Sequence, residues 1–214
     1  MRTLSRKHIG IIGVLILFVF LFFLYKFYFS WQFAQSYDTY ATLSEAHVTA
    51  AFLPATNDNQ LRQELNRMLA DVLAAELPNT ERLERAQRGL TVLGELEKQI
   101  DEIGVKGEAV SHALGEMEGR ATGADRAEIV RLALERLRVI GDIRGLSYRA
   151  SYHTAEIFNR VIADGGALTT AHVTELNSQI PLVEEQFDRR TGLYDELESI
   201  GGKIQRVHDE LSIF

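Results

Sequence analysis

The sequence predicts an all-α protein: one N-terminal transmembrane helix that continues into an elongated up-down four-helix bundle. Three observations predict it. Residues 9 to 25, IGIIGVLILFVFLFFLY, carry no charged side chain. From residue 30 onward no stretch alternates apolar and polar residues as a half-buried strand does, and apolar residues recur instead at steps of three and four. Prolines stand only at positions 54, 78 and 181, which leaves long runs free to be helical.

The N-terminal segment comes first. The apolar run continues past Lys26 as FYFSWQF, and together the two reach the roughly 20 residues that a helix needs to cross a bilayer. A core helix is seldom apolar on every face. Arg2, Arg6 and Lys7 precede the run, and after Lys26 no Lys or Arg occurs until Arg62. That asymmetry places residues 1 to 8 in the cytoplasm, a signal anchor over 9 to 29, and residues 30 to 214 outside. Tyr25, Tyr28 and Trp31 fit an interfacial aromatic belt, with Lys26 snorkelling to the same level. A cleavable signal peptide is the competing reading. Its apolar core is shorter, about 7 to 15 residues, and SWQFAQS is a poor cleavage site.

Four rods follow from the periodicity. Leu61, Leu65, Met68, Val72 and Leu73 share a helix face over 58 to 77, with Asn57 and Gln60 resembling a capping box. Between about 80 and 118, the positions Leu93, Leu96, Ile100, Ile103, Gly107, Val110, Leu114 and Met117 step 3, 4, 3, 4, 3, 4, 3, a heptad with glycine in one slot. Asp125 and Glu128 mark the start of a helix to about Ala163. A last helix, capped by Thr169 and stapled by Leu168 and Val173, carries Leu197, Ile200, Ile204, Val207, Leu211 and Phe214. If the chain only kinks at FLPATND, the segments 30–53 and 58–77 form one rod that matches the other three at about 60 Å. If it reverses there, a five-rod coiled-coil-like bundle results. Equal rods bury one another better, which favours four.

Charge and composition exclude several functions. The first 26 residues carry a charge of +4, and removing it from the total of −7 leaves −11 on the rest. So acidic a surface repels phosphate backbones, and no nucleic-acid partner is expected. The absence of cysteine removes disulfides, thiolate zinc sites and cysteine nucleophiles. No HExxH, GxSxG, phosphate loop or GxGxxG occurs, so the chain is expected not to be an enzyme and to need no cofactor. Glu108, His112 and Glu116 share a face at spacing four, but that face lies opposite the heptad seam, where a solvated surface rather than a metal site is expected.

The segment GDIRGLSYRASYHTAE, residues 141 to 156, departs from a simple packing helix. Its apolar stripe, Ile140, Ile143, Leu146, Ala150, His153 and Ile157, contains two successive steps of three, a local stammer that turns His153 inward. A second stripe, Gly141, Gly145, Tyr148 and Tyr152, admits three readings. It is a seam fitted to Phe187 or Tyr194 of the last helix, a surface for a protein partner or a second copy, or part of an anion site with Arg144 or Arg149. Continuing the early stripe of the last helix, Val173, Leu176, Ile180, Val183 and Phe187, leads to Arg190 near the core. Pro181 is expected to kink that helix.

The layout resembles the periplasmic four-helix-bundle sensor domain of bacterial chemoreceptors. ADGGALTTAHVTELNSQIPLVEEQF, residues 163 to 187, is similar to the way such domains enter their last helix, with a glycine turn, a capped start and a proline some ten residues in. The resemblance implies a bacterial cytoplasmic-membrane protein with its bundle periplasmic or extracellular. The sequence shows no second membrane span and no signalling module, so signalling would need a separate partner. Two functions are therefore expected: a membrane-anchored scaffold that docks envelope proteins or itself, or a sensor-type ligand-binding bundle. A pocket lined by Arg144, Arg149 or Arg190 would favour the second, and an exposed apolar stripe the first.

Overall fold

The computed structural model describes residues 6–55, 59–74 and 76–211. Five α-helices run through them: α1 (Arg6–Phe52), α2 (Gln60–Leu73), α3 (Asn79–Glu118), α4 (Ala124–Ala163) and α5 (Thr170–Leu211), with a 3-10 turn at Leu53–Ala55 after α1. No strand occurs among the described residues. Among the described residues one helix, α1, is long and apolar enough to cross a membrane, and its most apolar window is wholly unburied in the molecule. That helix continues without interruption into the bundle.

The first rod kinks and does not reverse. His47 of α1 packs against Gly107 of α3, Asn59 Nδ2 donates to Gln99 Oε1 at 2.8 Å, and Arg85 pairs with Asp71 at 2.8 Å. As the first rod rises from 47 through 59 to 71, its partner positions on α3 fall from 107 through 99 to 85. Thus α1 and α2 lie end to end, antiparallel to α3, and the five-rod alternative is excluded. Leu211 of α5 lies beside Tyr25 and Phe29 of α1, so the last rod returns to the end next to the apolar segment, here called the near end.

α3 carries the seam. Extended backward, its heptad runs Ala86, Gly89, Leu93, Leu96, Ile100, Ile103, Gly107, Val110, Leu114 and Met117, and every non-glycine member is buried. The two glycine slots are holes for rings. A Cβ on Gly89 would come within 2.5 Å of Phe158 Cζ, and one on Gly107 within 3.2 Å of His47 Nε2. Phe158 is 0 % exposed and His47 3 %. One ring comes from α4 in the far half and the other from α1 in the near half.

Helix ends differ from the expected ones in instructive ways. Asn57 lies outside the described residues. Asn59 caps α2 instead, its Oδ1 accepting from the amides of Leu61 and Arg62 at 3.1 and 3.4 Å. α2 stops at Leu73, four residues short of 77. The reason is Arg82, 3 % exposed, whose guanidinium donates to the carbonyls of Val72 (3.1 Å), Ala74 (2.7 Å) and Gly166 (2.9 Å) and to Asn79 Oδ1 (3.2 Å). It takes the last carbonyls of α2 and ties them to the start of α3 and the α4–α5 turn. Gly166 sits at φ 81°, and a side chain there would collide with the Asn79 carbonyl. α4 is capped by Gly123 without a side-chain bond, so Asp125 stands within its first turn, where a carboxylate complements the helix dipole. Thr169 immediately precedes α5 and Leu168 packs on the far core, while the side chain of Val173 lies outside the description. Pro181 lies within α5.

The core is in two parts. The near cluster joins α1, α3, α4 and α5 around Tyr40, Ile103, Ile140 and Ile200, and the far cluster joins α2, α3, α4 and α5 around Val72, Leu93, Phe158 and Leu176. Each fully buried aliphatic or aromatic side chain contributes about 1.5–3 kcal/mol.

Two outcomes are expected from this arrangement. Arg82→Met should cost about 3 kcal/mol or more, because three carbonyls at the far end lose a charged donor. Thermal melts of the full chain in mild detergent, followed by circular dichroism, would show it. His47 gives a pH signature. Its Nδ1 has no partner, and burial pushes its pKa down to about 4, against an opposing hydrogen bond to the Ile103 backbone and with Arg136 and Lys106 acting in the same direction as burial. The unfolded chain takes up the proton near pH 6.5 and the folded chain only near 4, so stability falls as pH drops through that window. The stability difference between the wild type and His47→Gln should therefore shrink by about 2 kcal/mol between pH 7 and 4.5.

Candidate functional site

Between the two apolar clusters lies a polar layer. The core seam of α4 runs Ile129, Ala133, Arg136, Ile140, Ile143, Ser147, Ala150, Thr154, Ile157 and Val161, an unbroken alternation of four and three. The expected stammer is therefore absent. Apolar Leu146 beside polar Ser147 mimics a step of three, and the seam passes through the hydroxyl residues. Ser147, Ser151 and Thr154 are 3–5 % exposed. Two of them hold their own helix, Ser147 Oγ donating to Ile143 O at 2.9 Å and Thr154 Oγ1 to Ala150 O at 2.8 Å.

Facing them from α5 is Arg190, 5 % exposed, whose Nη1 donates to Ser147 Oγ at 3.2 Å. Small hydroxyl residues fill less space than the aliphatic side chains of neighbouring layers, and a cavity of about 60 Å³ remains. Its polar wall is Arg62, Asn66, Ser147, Ser151, Thr154 and Arg190, and its apolar wall includes Leu65, Leu96, Ile100 and Val183. Pro54 of the 3-10 turn also lines it, so the cavity stands where the first rod breaks. Asn66 is exposed and marks the mouth. Burial first, and then the like charge of Arg62, lower the Arg190 pKa, against a raising pull from Tyr194. Two cations therefore act on one small space. At about 10–15 Å³ per water-sized sphere, that space admits four to six such spheres. A compact anion of about that many non-hydrogen atoms fits its size and sign.

The structure separates the residues that the sequence grouped. Arg190 is buried and lines the cavity. Arg144 does not. Its guanidinium lies over Gly104, 3.7 Å from Asp101 and 5.3 Å from the Tyr148 ring, and the Tyr148 hydroxyl bonds to Asp101. These side chains form a clasp between α3 and α4. Arg149 is exposed. His153 is not in the core but at the α4–α5 edge, half-buried, with Nδ1 3.2 Å from Gln179 Oε1 and 3.4 Å from Glu156 Oε2. The seam takes Thr154 in its place. Gly141 is exposed, and nothing lies within 4 Å of a Cβ built on it or on Gly145. The seam expected there with Tyr194 is absent, because Tyr194 donates to the Ala51 carbonyl at 3.1 Å and stacks on Phe52. The Phe187 side chain lies outside the description. Tyr152 is 61 % exposed. His112 is exposed and stands 3.7 Å from Glu116, and the described residues hold no group of three metal-ligating side chains.

Sequence reasoning missed Ser147, Ser151, Thr154, Arg62 and Asn66. For the first and third, carrying the α4 heptad through polar positions would have sufficed. Compared with known proteins, the chain matches no family model, no curated protein and no solved structure.

Proposed function

We propose that this chain is a non-enzymatic, single-pass membrane protein of the bacterial cytoplasmic membrane, N-terminus inside, whose outer bundle binds a small anion as a sensor-type domain working with a separate signalling partner. The observation that carries this reading is Arg190, buried in the polar layer against Ser147 and beside a cavity that Arg62 also lines. Ser147, Ser151 and Thr154 occupy core slots that aliphatic residues would fill at lower cost in desolvation. The exposed large apolar residues of the bundle, such as Val105, Leu134 and Leu182, are scattered over α3, α4 and α5. The long unburied apolar run of α1 supports the anchor, and the basic residues before it support the orientation.

A short-chain carboxylate has the right size and charge. Acetate, propionate and butyrate, titrated against the full chain in mild detergent, should raise the melting temperature saturably, by about 5 °C or more near 100 Kd. Arg190→Met should keep the helical spectrum and lose the response. An unchanged melting temperature with all three acids, or an equal response in Arg190→Met, would remove the ligand-binding reading.

A scaffold that docks envelope proteins or a second copy is the second reading, favoured by the open backbone at Gly141 and Gly145 beside exposed Tyr152. Gly141→Ala and Gly145→Ala meet free space, so each should stabilise the isolated chain by up to about 1 kcal/mol. If a helix docks there, the double variant also loses its complex. Melting curves and crosslinking in native membranes give the two outcomes.

A further inference from the structure

A second cleft, of about 290 Å³, opens at the near end, where α1 passes the α3–α4 turn. Phe22, Tyr25, Lys26, Phe29 and Ser30 reach it from α1, at steps that put them on one helix face. Thr122, Asp125 and Arg126 reach it from the turn and the start of α4. Arg126 is fixed in place. Its Nη2 donates to Ser30 Oγ at 2.6 Å, its Nη1 to Thr122 Oγ1 at 3.1 Å, and its Cζ lies 5.2 Å from the Phe33 ring. Lys26 Nζ lies 5.7 Å from the Phe22 ring. Among the described residues neither cation forms an ion pair, whereas Arg85, Arg88, Lys98, Lys106, Arg131 and Arg160 all have carboxylate partners.

We propose that this cleft binds one phospholipid, its phosphate between Lys26 and Arg126 and an acyl chain along Phe22, Tyr25 and Phe29. The site rests on the membrane-anchor reading above, because the aromatic wall is continuous with the exposed apolar surface of Val14 to Leu24. Among the described lining residues, two cations against the one carboxylate of Asp125 favour an anion. The apolar wall favours an anion that carries a hydrocarbon chain over a free one. Guanidinium and ammonium groups held at the edge of an apolar belt suit a phosphodiester. The hydroxyl bonds from Ser30 and Thr122 orient the Arg126 plane before the lipid arrives, which lowers the ordering cost of binding. Asp125 on the rim opposes the phosphate, so two substitutions have opposite signs.

Native mass spectrometry of the full chain in mild detergent tests the site, with dioleoylphosphatidylglycerol, a phosphate-free diglucosyl diacylglycerol and inorganic phosphate as probes. The wild type should retain one phosphatidylglycerol at least about tenfold more tightly than the glycolipid, and inorganic phosphate should not displace it at equal concentration. Lys26→Gln, an exposed position, should weaken retention about fivefold, and Asp125→Asn should strengthen it about twofold. Equal retention of both lipids, displacement by inorganic phosphate, or no change in either variant would overturn the proposal. Alkaline extraction of the same proteins from membranes reads the anchor separately. Chains that resist extraction yet retain no lipid retire the site alone, whereas chains that are extracted retire the anchor with it.

Discussion

The bundle depends on one constraint, the unbroken apolar seam of α3. A seam of about 47 Å must be covered along its whole length, or half of its leucines and isoleucines face water. No single outer helix covers it from the side of the first rod. α1 covers the half from Ile103 to Met117 and α2 the half from Ala86 to Leu96. The two glycine holes fix the register in each half. A ring that fills a hole of its own size gains contact on all sides, and a slip of one heptad would set it against a large side chain. Phe158 and His47 therefore act as pegs, one for each half.

Dividing the core has an energetic consequence. Apolar layers would be cheapest throughout, yet the middle layer holds Ser147, Thr154 and Arg190. Burying a guanidinium carries a desolvation penalty of several kcal/mol. The two apolar clusters supply the stability that lets this layer persist. The middle of the bundle is thus the place where an added ligand changes the balance most, since any anion there meets charge already stripped of water.

How much of this was legible in the sequence follows from which residues speak for themselves. The α3 heptad is written in leucine, isoleucine and valine, and its period survives inspection. The inward turn of Arg190 was legible because the stripe before it has a clear phase. The α4 seam was not, since serine and threonine read as surface residues and Leu146 and His153 offered themselves as substitutes. Arg82 could not be found at all. Three of its four partners are backbone carbonyls, two at the end of α2 and one in the α4–α5 turn, and carbonyls leave no trace in a residue pattern. The end of α2 moved with it, because the arginine supplies the cap that a glycine or asparagine would otherwise announce. Arg144 and Tyr148 carried the right chemistry for a site, but Gly104 and Asp101 on α3 claim them for a clasp.

The junction around Pro54 has a mechanical consequence. An intact α-helix transmits tilt and rotation along its axis as a stiff shaft, and a helix interrupted by a proline-bearing turn is a joint. α1 is a shaft from its apolar segment to Phe52, about 70 Å at 1.5 Å per residue. α2 lies beyond the joint and is tied at its outer end through Arg82. Bending strain from the outer half therefore dissipates at the turn of Leu53–Ala55. Torque applied to the apolar segment, by contrast, passes along an unbroken helix to the joint beside Arg62 and Arg190. The compliance of this protein is asymmetric, rigid toward the apolar segment and soft toward the tip, with the soft point set beside the polar layer of Ser147, Thr154 and Arg190.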